Sequence, residues 1–256
     1  MELFDSHCHL DDERFDEDRE EVFRELRESG VTRMTCVASD LKTAESSLRF
    51  AEAHEGVYAT CGVHPHEAKD ALADYLQTIE TLCKTEPYVA IGEIGLDYYY
   101  DLSPRDVQKR VLNEQLDLAV AINMPCIFHI RDAHGDMVDI FRSRSVLPQG
   151  IIHCFSGSAE TAKEYLRMGF YISFAGPLTF KKSVHLQTAC QAVPLDRLLI
   201  ETDSPYLAPE PMRGRRNTPA NVRYVCEKAA ELHGISAEEM ARITYENAMR
   251  VYRIAE

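Results

Sequence analysis

The chain has 256 residues, enough for one large α/β domain or two small ones. Its formal net charge of −14 argues against tight, non-specific binding of nucleic acid over a broad surface, although a local basic patch remains compatible with it. The eight cysteines form no CxxC pair, the start lacks a basic and then apolar leader, and no apolar run is long enough to span a bilayer. We therefore expect reduced thiols, a cytoplasmic location and no membrane contact.

Strands and helices are predicted to alternate along the whole chain. Apolar runs predict strands at about 2–6, 33–38, 57–63, 88–94, 125–130, 150–153, 170–174 and 197–200. Helical patterns follow at about 12–29, 40–54, 71–83, 103–122, 133–144, 158–168 and 184–192, and from 218 onward. Ser103 and Pro104 are expected to cap and open the longest helix, and Ser236 with Glu239 predicts a capping box for the last one.

Eight such strand–helix units predict a (β/α)8 TIM barrel. Strands that are apolar on both faces, each followed by a helix, indicate a parallel sheet that is covered on both sides, and eight units match this fold in size. A doubly wound open sheet is the main alternative, but it usually has a glycine-rich turn after its first strand, where this chain has His7-Cys8-His9. We expect a single domain over residues 1–256.

Polar residues of metal-binding type end most of the predicted strands. His7 and His9 are one residue apart and so point to the same face of an extended chain. In a barrel, all of these groups would meet at the rim formed by the carboxyl ends of the strands. They are His7 and His9, His64 and His66, Glu93, His129, His153, and Glu201 and Asp203. A lone histidine is more often a core residue and a lone glutamate more often a cap, but their repetition at strand ends predicts a metal site.

Two divalent ions are expected at this rim. His7, His9 and Asp203 are candidates for one ion and His129 and His153 for the second, with Glu93 bridging both. Such ions polarise an electrophile and lower the pKa of a shared water, and Asp203 is then the candidate general base. Imidazole-rich ligation favours Zn, Mn or Fe-like ions over Mg.

Six blocks of this sequence resemble the TatD family of metal-dependent hydrolases. They are Asp5-Ser6-His7-Cys8-His9-Leu10, Gly62-Val63-His64-Pro65, Gly92-Glu93-Ile94-Gly95-Leu96-Asp97-Tyr98, His129-Ile130-Arg131-Asp132-Ala133, His153-Cys154-Phe155-Ser156-Gly157 and Glu201-Thr202-Asp203-Ser204-Pro205-Tyr206-Leu207. The resemblance implies a TIM-barrel hydrolase of the amidohydrolase type, and it implies metal ligands at His7, His9, Glu93, His129, His153 and Asp203. It also implies activity as a Mg-dependent DNase, often described in this family as a 3′-to-5′ exonuclease. The metals are therefore expected to be Mg, Mn or Zn.

Cationic side chains on the strand-end loops suggest an anionic ligand. They are Arg131, Lys181, Lys182, Arg213, Arg215 and Arg216. Arg131 is two residues from a predicted ligand, and His64 is a candidate contact for a phosphate or a leaving group. The run Tyr98-Tyr99-Tyr100 is a candidate platform for stacking on a base, although packing explains such a run equally well.

Three functions are compatible with these residues. The first is a deoxyribonuclease or other phosphodiesterase acting on single-stranded DNA or DNA ends, with Glu93, Asp203, His64 and Arg131 in the chemistry. The second is a carbon–nitrogen or ester hydrolase on the same metals, which needs no basic rim. The third is a non-enzymatic barrel in which metal is a structural element. The sequence does not specify an oligomeric state.

Overall fold

The structure, a computed structural model, describes residues 1–255 as a parallel barrel. Its strands are β1 (Leu3–Cys8), β2 (Val31–Cys36), β3 (Val57–Cys61), β4 (Tyr88–Asp97), β5 (Cys126–Arg131), β6 (Gly150–Ile152), β7 (Tyr171–Phe174) and β8 (Leu198–Ile200). Each strand is parallel to the next in chain order. The amide of Asp203, just after β8, donates to the carbonyl of His7 in β1 at 2.9 Å, so the barrel is nearly closed. The predicted (β/α)8 barrel is confirmed, and the doubly wound alternative is excluded because its strand order reverses.

Helices follow the strands and cover the outside of the barrel. They are α1 (Arg19–Glu28), α2 (Leu41–Ala53), α3 (Tyr75–Leu82), α4 (Arg105–Ala121), α5 (His134–Arg142), α6 (Ala159–Arg167), α7 (Val184–Ala192), α8 (Val222–His233) and α9 (Ala237–Tyr252). Half of the capping box predicted for α9 is present, since Ser236 Oγ accepts a hydrogen bond from the amide of Glu239 at 3.1 Å, whereas the Glu239 carboxylate pairs with Arg242. In residues 1–255, no helix has the length and apolar character needed to cross a membrane.

Alternate residues of the strands pack into two separate apolar clusters. Leu3 and Phe128 belong to the larger cluster, which also takes in the buried faces of the helices, whereas Phe4 and Ile127 belong to the smaller one. The smaller cluster lies inside the barrel and includes Tyr252 of α9, whose hydroxyl donates to a carbonyl of β1 at 2.6 Å. Helix α9 therefore closes one end of the barrel, and the polar strand ends lie at the other.

Several predicted boundaries were wrong. The helix expected over 12–29 is a 3-10 turn, Glu13–Phe15, followed by the shorter α1, and the helix expected at 71–83 begins only at Tyr75, after a second 3-10 turn, Pro65–Asp70. Ser103 does not cap α4, because its hydroxyl donates instead to the carbonyl of His66 at 2.8 Å, and Pro104 occupies the cap position. All eight cysteines are free thiols, as expected.

Strand β4 is longer than its sequence pattern predicted. The predicted strand stopped at Ile94, yet β4 continues to Asp97. Gly95 has φ of +151°, and a Cβ atom there would lie 1.9 Å from the carbonyl oxygen of His129 in β5. Only glycine permits this backbone conformation and this close approach, so Gly95 allows β4 to continue past β5 as far as the rim.

Substitution of glycine by alanine is expected to change the free energy of unfolding in opposite directions at Gly95 and at Gly135. Gly95→Ala is expected to lower the free energy of unfolding by at least about 1–3 kcal/mol through backbone strain. Gly135 lies in α5 with open space around its Cβ position, so Gly135→Ala is expected to raise it, by up to about 1 kcal/mol. Denaturant unfolding of both variants tests this, and equal effects would contradict the packing described for β4.

Candidate metal centre

The six predicted ligand side chains lie together in one pocket at the carboxyl ends of the strands. Glu93, in β4, is the central group and is 4% exposed. Its Oε1 lies 2.7 Å from both His129 Nδ1 and His153 Nε2. Its Oε2 lies 3.5 Å from His7 Nε2. One buried carboxylate therefore faces two separate histidine groups.

Asp203 completes the pocket on the side of β1. Its Oδ1 lies 3.4 Å from His9 Nε2 and 3.7 Å from His7 Nε2, and these two nitrogens are 3.3 Å apart. The pairing of Asp203 with β1 depends on Asp5, which is fully buried and accepts hydrogen bonds from the amide and hydroxyl of Thr202. The contact between β1 and β8 therefore positions His7, His9 and Asp203, which form one half of the predicted metal centre.

Hydrogen bonds on the outer side of three histidines determine which nitrogen faces the pocket. The outer nitrogen of His9 lies 2.7 Å from the carbonyl of Val37. That of His129 lies 3.0 Å from Asp97 Oδ2, and that of His153 lies 3.2 Å from Glu201 Oε1. Carbonyls and carboxylates only accept, so an outer nitrogen that carries the ring proton donates to them, and the inner nitrogen of that neutral tautomer presents a lone pair to the pocket. This carboxylate–histidine arrangement is typical of metal-ligating histidines.

The atoms of these side chains that face the pocket can donate electron pairs to divalent cations. His129 Nδ1, His153 Nε2 and Glu93 Oε1 are all acceptors, and the two nitrogens are only 3.4 Å apart. Acceptors this close repel one another unless a proton or a metal cation lies among them. Three overlapping sets of three side chains from the six predicted ligands have ligand atoms within 4.8 Å of one another, and nitrogen with carboxylate oxygen suits Zn, Mn or Fe-like ions.

Charge in the pocket shifts the pKa values of its members in opposite directions. Burial alone would raise the pKa of Glu93, but the surrounding imidazoles of His153, His64 and His129 hold it well below its usual range. Burial likewise opposes charge on His9, yet its neighbour Asp203 raises the pKa of His9 to about 9. Protons and metal cations therefore compete for the same inner nitrogens.

His64 has a different role from the four histidines of the centre. Its Nδ1 accepts a hydrogen bond from the amide of His66 at 3.1 Å, so its proton is on Nε2, which lies 3.6 Å from Glu93 Oε1. Burial and the nearby His129 lower the pKa of His64 to about 4. His64 is thus a neutral ring that presents an N–H donor to the pocket.

The whole chain is similar to known hydrolases. The family described as TatD related DNase matches residues 4–253. The chain belongs to the TatD family. It is 46% identical to the uncharacterized metal-dependent hydrolase YabD of Bacillus subtilis (strain 168), across 98% of this chain and 99% of that one. It is 34% identical to the 3′-5′ ssDNA/RNA exonuclease TatD of Pantoea ananatis (strain LMG 20103), across 98% and 99%. The crystal structure of YjjV, a TatD homologue from Escherichia coli K12, superposes with a TM-score of 0.92 at 28% identity and covers 99% of this chain and 98% of that chain.

Membership of the TatD family confirms the predicted class, a metal-dependent hydrolase on a TIM barrel. The blocks that suggested the family contain Glu93, His129, His153 and Asp203, which the fold brings into one pocket. Three further residues support the members of this TatD-family pocket. The sequence placed His66 and Glu201 at the rim without a specific role, and it missed Asp97.

Asp97 connects the centre to a surface loop. Its Oδ2 accepts hydrogen bonds from His129 Nε2 at 3.0 Å and from His66 Nε2 at 2.9 Å. Its Oδ1 accepts from the amides of Tyr99 and Tyr100, at 2.9 Å and 2.8 Å. Asp97 was assigned no role from the sequence because the predicted β4 ended at Ile94. The longer observed strand brings Asp97 to the rim.

We expect Asp97→Asn to lower metal affinity or hydrolytic activity by about 10–100-fold. Asparagine keeps the size of the side chain but presents an amide where one histidine N–H needs an acceptor, and such outer partners contribute on this scale. Metal titration and activity at saturating metal measure the two components. Asp139→Asn, at an exposed carboxylate in α5, is the control, and loss of neither affinity nor activity in Asp97→Asn would contradict this role.

The basic rim is smaller than the sequence suggested. Arg216 does not face the pocket freely, because it forms an ion pair with Asp18 at 2.5 Å. Arg213 lies 3.8 Å from Glu210 and stacks on an aromatic ring. The predicted cations that form no ion pair within residues 1–255 are Arg131, Lys181, Lys182 and Arg215. The guanidinium of Arg131 lies 4.1 Å from the ring centre of Tyr99 and 4.8 Å from that of Tyr100.

Proposed function

We propose that this chain is a phosphodiesterase that removes nucleotides from the 3′ ends of single-stranded DNA. The proposal includes two divalent metal ions bound by His7, His9, Glu93, His129, His153 and Asp203. The observation that carries it is the position of Glu93, whose two oxygens face the β1 histidine and the β5–β6 histidine pair separately. A carboxylate in that position is suited to bridge two cations that act on one phosphate.

The residues of the pocket have separate tasks in this proposal. When bound, the divalent ions supply Lewis acidity toward a phosphoryl oxygen and lower the pKa of an attacking water. Asp203 accepts the proton of that water, since its carboxylate is at the open side of the pocket with 16% of the side chain exposed. His64 donates its Nε2 proton in a hydrogen bond to the phosphate, and Arg131 stabilises the negative charge that develops.

Two further observations support a nucleic-acid substrate. Relatives of this chain in Pantoea are described as 3′-5′ ssDNA/RNA exonucleases. Four of the cations predicted on the strand-end loops form no ion pair within residues 1–255, although the net charge of the chain is −14, and this favours short or single-stranded ends over long duplexes.

Hydrolysis of labelled oligonucleotides tests the proposal directly. Purified protein is incubated with single-stranded DNA labelled at the 5′ end, with Mn or Mg added, and we expect stepwise shortening with release of mononucleotides. Intact oligonucleotide, together with turnover of N-acyl amino acids or carboxylic esters, would overturn it in favour of the carbon–nitrogen or ester hydrolase. In that case, removal of the charges at Arg213, Arg215 and Arg216 should leave turnover unchanged.

Removal of metal is expected to abolish turnover and to lower thermal stability. A ligand that binds only the folded state at 100 times its dissociation constant adds about 2.7 kcal/mol to the free energy of unfolding. Chelated protein, reconstituted with Mg, Mn or Zn one at a time, should regain both activity and melting temperature with the ions that fit. Full activity of thoroughly chelated protein would contradict a metal-dependent reaction.

A further inference from the structure

The exposed tyrosines of this chain are all at the pocket. The chain has twelve tyrosines, and the three that are exposed within residues 1–255 are Tyr99 at 59%, Tyr100 at 54% and Tyr206 at 47%. Tyr99 and Tyr100 follow β4, and Tyr206 is three residues after Asp203. Single exposed aromatic residues scattered over a surface need no explanation, but three confined to the rim of one pocket do.

The three rings border the centre on two sides. The Tyr100 ring lies 5.5 Å from that of His66, which in turn lies 6.0 Å from that of His129. On the side of β1, the Tyr206 ring lies 6.2 Å from that of His9. The rings therefore flank the two histidine groups that Glu93 separates.

On each side of the pocket, an arginine side chain stacks on the exposed tyrosine rings. Arg131 stacks on Tyr99 and Tyr100, and the guanidinium of Arg14 lies 4.1 Å from the ring centre of Tyr206. Arg14 is held in this position by a two-pronged contact with Asp12, at 2.8 and 2.9 Å. Aromatic and guanidinium planes are the surfaces on which unpaired nucleobases stack.

Both platforms are rigidly connected to the centre. The amides of Tyr99 and Tyr100 bind Asp97, which also binds His129. The amide of Tyr206 donates to the carbonyl of Asp203 at 2.9 Å. The carbonyl of Tyr206 accepts from the buried amide group of Asn217 at 2.7 Å. The backbone that carries each ring is therefore anchored to the centre before any substrate arrives, which limits the entropy lost on binding.

We propose that these two platforms hold the two nucleobases on either side of the scissile phosphodiester. Tyr99, Tyr100 and Arg131 form one base subsite, and Tyr206 and Arg14 form the other. This inference rests on the proposed function, because it assigns a single-stranded nucleic-acid end with two unstacked bases as the occupant. A paired base cannot leave its stack without cost, so the platforms also explain a preference for single strands.

Oligonucleotides that lack one base test the proposal. Three single-stranded substrates of one sequence are compared, namely intact, abasic at the terminal nucleotide and abasic at the penultimate nucleotide. In the unmodified protein, each missing base should lower kcat/KM roughly tenfold, the scale of base–aromatic stacking. The Tyr99→Ala/Tyr100→Ala variant should lose the sensitivity to one position only, and Tyr206→Ala should lose the sensitivity to the other.

Matched variants distinguish a loss of base stacking from general damage to the active site. The Tyr→Phe substitutions keep the ring and should keep both sensitivities, and Leu102→Ala removes an equally exposed apolar side chain from the same loop without effect. Turnover of methyl p-nitrophenyl phosphate, which has no base, should be equal in all variants. Abasic sensitivity that persists in all of the ring-deleted variants, or a parallel fall in turnover of the small ester, would overturn the proposal.

A binding measurement distinguishes failure of the base-subsite proposal from failure of the proposed phosphodiesterase function. A single strand ending in 2-aminopurine, with a phosphorothioate at the last linkage to slow cleavage, reports stacking through quenching of its fluorescence. Quenching by the unmodified protein but not by the alanine variants supports the subsites even if no cleavage occurs. Absence of quenching in an actively cleaving protein overturns the subsites and leaves the phosphodiesterase proposal intact.

Discussion

Glu93→Ala is expected to lower hydrolysis by more than about a thousandfold. The substitution removes the one carboxylate that contacts His7, His129 and His153 together. Loss of a metal-derived Lewis acid is worth several kcal/mol, and each 1.4 kcal/mol is tenfold in rate. Activity at saturating Mn and the bound metal per chain after dialysis measure the effect.

A surface carboxylate provides the control for Glu93. Glu80 on α3 forms an exposed pair with Lys84 at 2.9 Å, so Glu80→Ala should keep both activity and metal content. Thermal unfolding shows whether Glu93→Ala is still folded, which we expect because neutral histidines can remain in the pocket. A folded Glu93→Ala protein with full activity and full metal content would contradict a bridging role.

Asp203→Asn is expected to lower kcat by about 10²–10⁴-fold, the usual contribution of a general base. Asp203 has φ of +54°, a left-handed conformation that asparagine tolerates better than most residues, so the change adds little backbone strain. The amide keeps the size of the side chain and can still contact His9, but it cannot accept a proton from water. Steady-state kinetics on a p-nitrophenyl phosphodiester separate the effect on kcat from that on KM.

The matched control for Asp203 is another aspartate on the same rim. Asp132 follows β5, is exposed, and has φ of +53°. Asp132→Asn therefore repeats the chemical change in the same backbone conformation outside the pocket, and it should leave kcat unchanged. Equal losses in the two variants, or none in Asp203→Asn, would remove Asp203 from the reaction.

The barrel and the six side chains at its centre were predictable because they follow local rules. Few folds are compatible with strands that are apolar on both faces and alternate with helices. A parallel barrel among them places the carboxyl end of every strand at one rim. His7 and Asp203 are distant in the chain, yet strand-end position alone was enough to place them together. The resemblance to the TatD family identified the same residues.

Residues that act through longer-range contacts were not predictable. Asp97 was missed because the predicted strand ended at Ile94, and only the β4–β5 packing around Gly95 shows that the strand continues past it. Arg216 was expected at an anionic ligand, but its partner Asp18 lies far away in the chain and no local pattern connects them. Glu201 supports His153 through a contact that depends on how β6 and β8 are spaced.

The central claim is that divalent cations bind on both sides of Glu93, and anomalous scattering from crystals grown with Mn tests it most directly. The account predicts two Mn peaks in the pocket, one beside His7, His9 and Asp203 and one beside His129 and His153, with Glu93 in contact with both. A fully loaded crystal without Mn at Glu93, or with its Mn only at other sites, would contradict it.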